Sequence, residues 1–229
     1  AAHLKTLAHV MARTNLARED GILSRFTRHS RLLEEYLAQI AGHPVNNRGT
    51  THISTIDGQG NSASLTLSNG EGSGQLVPDT GIMLNNMLGE EDLNPAGFNR
   101  WPCDVRVSSM MAPTLAEDHR HLIAIGSGGS NRLRTAILQT LSNLIDFAMS
   151  PEQAVNAPRI HFERDRLDIE PGFAPEAIAA LVADYPDHRT WTSQNLVFGG
   201  THTVCWDGRQ FSGAGDPRRG GVFRCRHAS

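Results

Sequence analysis

The amino-acid pattern changes character at Gly49-Thr50, and any fold for this chain has to put helices before that point and short strands after it. Upstream, Leu4, Leu7, Ala8, Val10, Met11 and Leu16 fall on roughly one face of a helix over 4–18. A second helix is predicted over 30–40, with Ser30 as cap and Leu32, Leu33, Tyr36, Leu37 and Ile40 as its buried stripe. Gly42, His43 and Pro44 stop it. Neither helix has a strand partner close by, so both read as the end of a preceding unit. Downstream, 51–56 is rich in β-branched residues and pairs with 62–68 through a turn at Gly58-Gln59-Gly60-Asn61, a hairpin.

Beyond the hairpin, Asn69-Gly70-Glu71-Gly72-Ser73-Gly74 is a loop with several positions free to take positive φ. An apolar segment over 81–87 precedes a long irregular stretch over 89–107; loops of that length are usually functional or disordered. Residues 108–115 and 121–125 read as paired strands. The second runs into Gly126-Ser127-Gly128-Gly129-Ser130, and a helix with Leu133, Ile137, Leu141, Leu144, Ile145 and Ala148 on its apolar face follows at once. Then come a short proline-started helix at 151–155, a hairpin over 160–169, a helix over 175–183, and strands at 201–206 and 210–214 joined by Asp207-Gly208. Antiparallel strands with helices grouped outside them predict an α+β layered sandwich.

Composition narrows the function classes. A net charge of -3 gives no reason to expect nucleic acid or an anionic membrane as partner. No apolar run is long enough to span a bilayer, and the first residues lack the pattern of a secretory signal. The absence of an initiator methionine points to a longer product. Cys103, Cys205 and Cys225 do not make a disulfide framework; Cys205 and Cys225 could meet across late strands, but the expected state is buried free thiols. No Cys/His spacing resembles a zinc site, so no metal is expected.

Two stretches carry chemistry. Gly126-Ser127-Gly128-Gly129-Ser130 opens a helix straight after a strand, which would aim backbone N–H groups at one point and suit a phosphate or a developing oxyanion. It lacks the Gly-Lys-Ser/Thr ending of a Walker loop and the glycine spacing of a dinucleotide site, and a tight connection is the plainer reading. No Gly-x-Ser-x-Gly elbow supplies a nucleophile. A threonine hydroxyl becomes one when its own α-amine, with a pKa of about 7.7–8.0, acts as base after the preceding peptide bond is cut. Thr50 behind Gly49 meets that requirement, although a Gly-Thr pair entering a strand is ordinarily only a loop meeting a sheet.

The pieces in order are Thr50-Thr51-His52, Gly81-Ile82-Met83-Leu84-Asn85-Asn86, Ser108-Ser109-Met110 with Pro113-Thr114, and Gly126-Ser127-Gly128-Gly129-Ser130. Asn156-Ala157-Pro158-Arg159 and Gly215-Asp216-Pro217-Arg218-Arg219-Gly220-Gly221 complete the series. From Thr50 onward, about four-fifths of the chain resembles in this order the small catalytic subunit of γ-glutamyltranspeptidase, an N-terminal-nucleophile hydrolase. The resemblance implies a four-layer αββα sandwich. It implies that 1–49 is the end of a large-subunit-like region, that 50–229 is the catalytic region, and that a precursor cleaves itself between Gly49 and Thr50. It further implies a γ-glutamyl donor such as glutathione, water or an amino acid as acceptor, no cofactor, and a large-subunit polypeptide from the same precursor as partner. Family members are often periplasmic or secreted, with cytosolic relatives.

Residue by residue, the resemblance makes Thr50 the nucleophile and gives the oxyanion to the Gly128 and Gly129 N–H groups. Ser68 would orient the nucleophile, Ser108 and Ser109 would bind the donor's α-carboxylate, and Asn69 and Glu90 would lie near its α-ammonium. Glu90 also belongs to an acidic run that solvation alone would explain, and Thr51 is either a support for the nucleophile or only a strand residue. Met87 stands where many members carry a polar donor-binding side chain, which keeps acylases of the glutaryl or cephalosporin type open as an alternative. Two other readings are an uncleaved, non-catalytic homologue acting through a partner chain, and a phosphate-binding module built on the glycine-rich turn.

Overall fold

The computed structural model describes residues 1–22, 49–70, 72–90, 93–94, 97–107, 109–118, 121–163 and 165–226. The helix expected over 30–40 and the candidate site residue Ser108 lie outside these described residues. Strands in chain order are β1 (Thr50–Ile56), β2 (Ser62–Ser68), β3 (Thr114–Glu117), β4 (Leu122–Gly128), β5 (Ile160–Glu163), β6 (Arg166–Ile169), β7 (His188–Thr190), β8 (Gly200–Trp206) and β9 (Phe211–Gly215). Helices are α1 (Ala2–Ile22), α2 (Arg132–Ile145), α3 (Pro151–Asn156) and α4 (Pro175–Val182). The chain divides into two compact units, one of Ala1–Ala17, Thr51–Thr66 and Met110–Ser229, the other of Arg18–Thr50 and Leu67–Ser109.

The first unit is built on an antiparallel sheet in the order β3-β4-β8-β9. Strand β4 is central because its two faces suit different neighbours. Ile123 and Ile125 pack with Ile137 of α2 and Cys205, with Leu141 and Leu144 at the edge. On the opposite face Gly126 leaves room for the hairpin, since a Cβ there would come within 2.1 Å of the His52 ring. Helix, sheet and hairpin thus stack in that order, an α+β arrangement. The strand expected over 108–115 begins instead at Thr114, after Pro113, which has no N–H to give a ladder. Helix α2 stops at Ile145, which is exposed, and Ala148 lies past its end at φ 48, so neither belongs to the apolar face.

A second sheet, β5-β6-β7, pairs β5 and β6 antiparallel and β6 and β7 parallel. Leu7, Ala8 and Met11 of α1 and Leu181 of α4 cover Ile160, Phe162, Leu167 and Ile169. Val10 and Leu16 stay exposed, so the buried stripe of α1 is narrower than the sequence indicates. Gln139 clamps this sheet to α2: its Nε2 donates to Ile160 O at 2.9 Å and its Oε1 accepts from Ile160 N at 2.9 Å. Helix α3 carries a capping box, in which Ser150 Oγ accepts from Gln153 N and Gln153 Oε1 from Ser150 N.

The motifs around Arg159 and Asp216 meet in one buried ionic network. Arg159 Nη2 lies 2.7 Å from Asp216 Oδ2, and Arg218 grips Glu170 with Nε and Nη2 at 2.8 and 2.6 Å. The carboxylates also accept backbone N–H groups, Glu170 from Arg159 and Asn195, Asp216 from Thr201 and Arg218. All four side chains are buried, and each charge is both paired and hydrogen-bonded, as burial requires. Of the cysteines only Cys205 is buried, where desolvation pushes its thiol up to about 12; Cys225 is exposed, against expectation, because it lies outside the packed strands, and Cys103 is exposed too.

In the second unit, residues 75–84 form a tight loop closed by Val77 N to Ile82 O and Leu84 N to Gln75 O. A 3-10 turn, Met87–Gly89, follows, and Asn94 Nδ2 donates to both Leu88 O and Glu90 O at 2.7 Å. The rest of 89–107 is irregular where described.

Candidate active site

Alternation along the hairpin sorts its side chains into two faces. Thr50, His52 and Ser54 of β1 share one face, and Ser68, Thr66 and Ser64 of β2 answer them. Thr50 Oγ1 lies 2.9 Å from Ser68 Oγ, and His52 Nδ1 lies 2.8 Å from Thr66 Oγ1. Thr51, Ile53, Ala63 and Leu65 point the other way and are exposed. Asp57 closes the turn by accepting from Gln59 N, Asn61 N and Asn61 Nδ2, bonds that hold its carboxyl below the usual range.

Around Thr50 the second unit supplies a ring of contacts. Ser68 Oγ accepts from Gly70 N at 3.0 Å, which fixes the serine hydroxyl facing Thr50. Gly49 O accepts from Asn69 N at 2.8 Å, so the carbonyl preceding Thr50 is already hydrogen-bonded. A Cβ at Gly49 would come 1.9 Å from Gly70 O, which leaves glycine as the only residue that fits there. Asn69 O in turn accepts from Asn86 N at 2.8 Å, tying the strand end to the 81–87 segment. Glu90 is half-buried with Oε1 3.1 Å from where a Gly70 Cβ would stand. Thr50, Ser68, Asn69 and Glu90 are therefore grouped through Gly49 and Gly70. Ser109 is exposed in the same unit, and Thr51 is on the face away from Thr50.

The glycine-rich turn belongs to the first unit. Strand β4 runs to Gly128, which pairs with Gly200, so Gly126 and Ser127 are strand residues and the turn is confined to Gly129, Ser130 and Asn131. Gly129 has φ 129 and its absent Cβ would sit 3.0 Å from Gly199 Cα, so a side chain is excluded on both counts. The buried Ser127 braces the turn: its Oγ donates to Gly128 O at 2.9 Å and accepts from Gly200 N at 3.1 Å. Arg132 N to Gly129 O then begins α2, so its N-terminal turn starts at the glycine pair.

His52 is the buried residue of β1, and the sequence reading assigned it no role. Its place two residues after Thr50 in an alternating strand was the available signal. Its Nε2 lies 2.7 Å from Ser54 Oγ, whose hydroxyl donates to His202 O at 3.1 Å. Nε2 must then carry the proton and Nδ1 accept from Thr66. Burial first, and the neighbouring His202 second, hold the imidazole down to about 4, so it is neutral near pH 7. Among the described residues no group of His, Cys, Asp and Glu is arranged to hold a metal, and no helix is long and apolar enough to cross a membrane.

The sequence profile described as Gamma-glutamyltranspeptidase matches residues 7–224. The "Glutathione hydrolase proenzyme" of Escherichia coli (strain K12) is 31% identical over 159 residues, 61% of this chain and 27% of that protein. The "Acylase ACY 1 proenzyme" of Pseudomonas sp. (strain SE83) is 37% identical over 138 residues, 58% of this chain and 25% of that protein. The chain thus spans about a quarter of the length of these curated relatives. A solved γ-glutamyltranspeptidase chain from Pseudomonas nitroreducens, complexed with L-DON, superposes with a TM-score of 0.65 at 25% identity, covering 77% of this chain and 100% of that one.

Proposed function

Because the chain belongs to the γ-glutamyltranspeptidase family and has the α+β N-terminal-nucleophile-hydrolase fold, we propose that it is the catalytic part of a γ-glutamyl hydrolase and transpeptidase with Thr50 as nucleophile. The observation that carries the reading is the setting of Thr50. Its hydroxyl is 2.9 Å from the Ser68 hydroxyl, and it follows a glycine whose carbonyl accepts the Asn69 N–H.

In the first stage Thr50 Oγ attacks the Gly49 carbonyl carbon. The C–N bond breaks, its nitrogen keeps its own proton, takes the one the hydroxyl gives up and becomes the free α-amine, and the acyl group moves to oxygen as an ester. Water opens the ester and leaves Gly49 as a carboxylate. In the second stage the Thr50 α-amine, with a pKa of about 7.7–8.0, takes the hydroxyl proton while Oγ attacks the γ-carbonyl of a donor such as glutathione. The role of oxyanion donor goes to the Gly128 and Gly129 N–H groups; loss of one such donor costs about 3–4 kcal/mol of barrier in comparable sites. The leaving amine departs with a proton, and water or an amino-acid amine takes the γ-glutamyl group. Asn69, Glu90, Ser108 and Ser109 bind the donor's amino and carboxylate groups in this reading. The chemistry uses hydroxyls, backbone amides and water, so no cofactor enters.

The same reading divides the chain at the Gly49–Thr50 bond and makes 1–49 the end of a large-subunit region. A large-subunit polypeptide from the same precursor would cover the outer face of the hairpin. The exposure of Ile53 and Leu65, each 49%, supports that partner. An acylase acting on a different side chain is the second reading, favoured by Met87 and by the acylase relative of strain SE83.

Intact mass of the purified precursor beside its Thr50→Ala variant tests the proposal. Two fragments parting between Gly49 and Thr50, absent in the variant, are expected, followed by hydrolysis of a γ-glutamyl anilide. A single uncut mass in both favours a non-catalytic homologue; cleavage with turnover of a glutaryl anilide alone favours the acylase.

A further inference from the structure

His52 holds a position that the proposed chemistry leaves unused. It is buried on the face of β1 that Thr50 shares, and the two are the first and third residues of one strand. Apart from Ile56 beside the turn, the inner face of the hairpin is polar, with Ser54 and Thr66 on the imidazole and Ser64 further along, so apolar packing does not hold most of it to the main sheet. Directional bonds do. Ser64 Oγ donates to Ile125 O at 2.9 Å, and Ser54 Oγ donates to His202 O at 3.1 Å. His52 donates from Nε2 to that same Ser54 and accepts at Nδ1 from Thr66, so one ring spans both strands. It lies over Gly126 of β4 and stacks on His202 of β8 at 6.4 Å between centroids and 17° between planes. The charged groups behind His202 are Asp216, Arg219 and Arg159.

We propose that His52 is the positioning residue for Thr50: a neutral, Nε2-protonated imidazole that pins both strands of the nucleophile's hairpin to the central sheet. This rests on the reading of Thr50 as nucleophile. A strand residue two places from an anchored ring cannot drift far, whereas a hydroxyl misplaced by an ångström loses much of its rate. The role asks for a ring that donates at one nitrogen and accepts at the other, and the amide side chains each imitate one half. His52→Asn places an acceptor near Nδ1, His52→Gln a donor near Nε2, and His52→Leu fills space with neither.

The experiment follows precursor cleavage by intact mass, anilide kcat and KM, the folded fraction in urea, and the 15N shifts of the histidine side chains. In the wild type the 15N shifts should report Nε2 protonated. His52→Asn and His52→Gln should cleave about tenfold slower and His52→Leu about a hundredfold slower in the folded fraction, with kcat falling and KM unchanged. A wild type that cleaves, with a folded His52→Leu cleaving at the same rate or losing rate only in step with its folded fraction, overturns the inference and leaves the nucleophile assignment standing. Should the wild type stay uncut, the nucleophile reading fails instead. Faster amide exchange in the His52→Leu hairpin would then uphold the pinning on its own, and unchanged exchange would overturn it.

Discussion

Thr50 and Ser68 illustrate how little chemistry one residue needs once its neighbours are set. Ser68 Oγ accepts the Gly70 N–H, so its own proton and remaining lone pair are directed at Thr50 Oγ1, 2.9 Å away. Removing that hydroxyl leaves Thr50 free to turn about χ1 and leaves Gly70 N–H without its acceptor. A neutral hydrogen bond nets about 0.5–1.5 kcal/mol, and each 1.4 kcal/mol is a factor of ten in rate. Ser68→Ala should therefore slow Gly49–Thr50 cleavage by about tenfold in the folded fraction, read as a first-order rate by intact mass, with the urea midpoint lowered by the unpaired buried Gly70 N–H, worth about 1–3 kcal/mol. Ser68→Thr, which keeps the hydroxyl, should recover most of the rate. That Thr50, Ser68, Asn69 and Glu90 lie together was legible because the family resemblance assigns all four to one site. His52 stands in the Thr50-Thr51-His52 piece of the same pattern, but only alternation pointed to its burial, and alternation does not tell a functional imidazole from a core one.

At the level of elements, the hairpin shapes the sheet beneath it. Gly126 sits in the middle of β4, where a β-branched residue would pair better, because the His52 ring occupies the space of its side chain. That ring is fixed by two hydrogen bonds and cannot yield cheaply. Gly126→Ala should cost about 1–3 kcal/mol of stability, the usual range for overpacking, and urea unfolding with an unchanged m-value would measure it. The hairpins and long helices could be read from the sequence because period and turn residues agree there. Strand β7 could not: His188, Arg189 and Thr190 have no apolar alternation, and the strand exists only because β6 offers it a parallel edge. The early start expected for β3 failed on Pro113, and the wide stripe expected for α1 failed because only Leu7, Ala8 and Met11 meet the second sheet. The misses at β7 and α1 turn on neighbours distant in sequence.

Across the whole molecule, the Arg159 and Asp216 motifs show a recognisable pattern doing structural duty. In the sequence they are two pieces of the family pattern with no role assigned; together they form a core knot in which Arg159, Glu170, Asp216 and Arg218 join the strand after α3, the β6 end and the turn after β9. Burying two charges costs several kcal/mol each before pairing returns it, so breaking one partner is severe. Glu170 is the sharpest place to test this, because its two oxygens serve Arg218 in a two-point grip and also take the Arg159 and Asn195 N–H groups. Glu170→Gln keeps the shape, removes the charge and turns one acceptor into a donor facing donors. It should cost about 3–5 kcal/mol, a large share of the 5–15 kcal/mol that holds a typical domain. Pairing it with Arg218→Met would remove the orphaned guanidinium but not restore acceptors to both backbone N–H groups, each worth about 1–3 kcal/mol when buried and unpaired. The double variant should therefore recover only part of the loss in urea midpoint, whereas full recovery would mean that the ion pair, and not its backbone bonds, carries the cost.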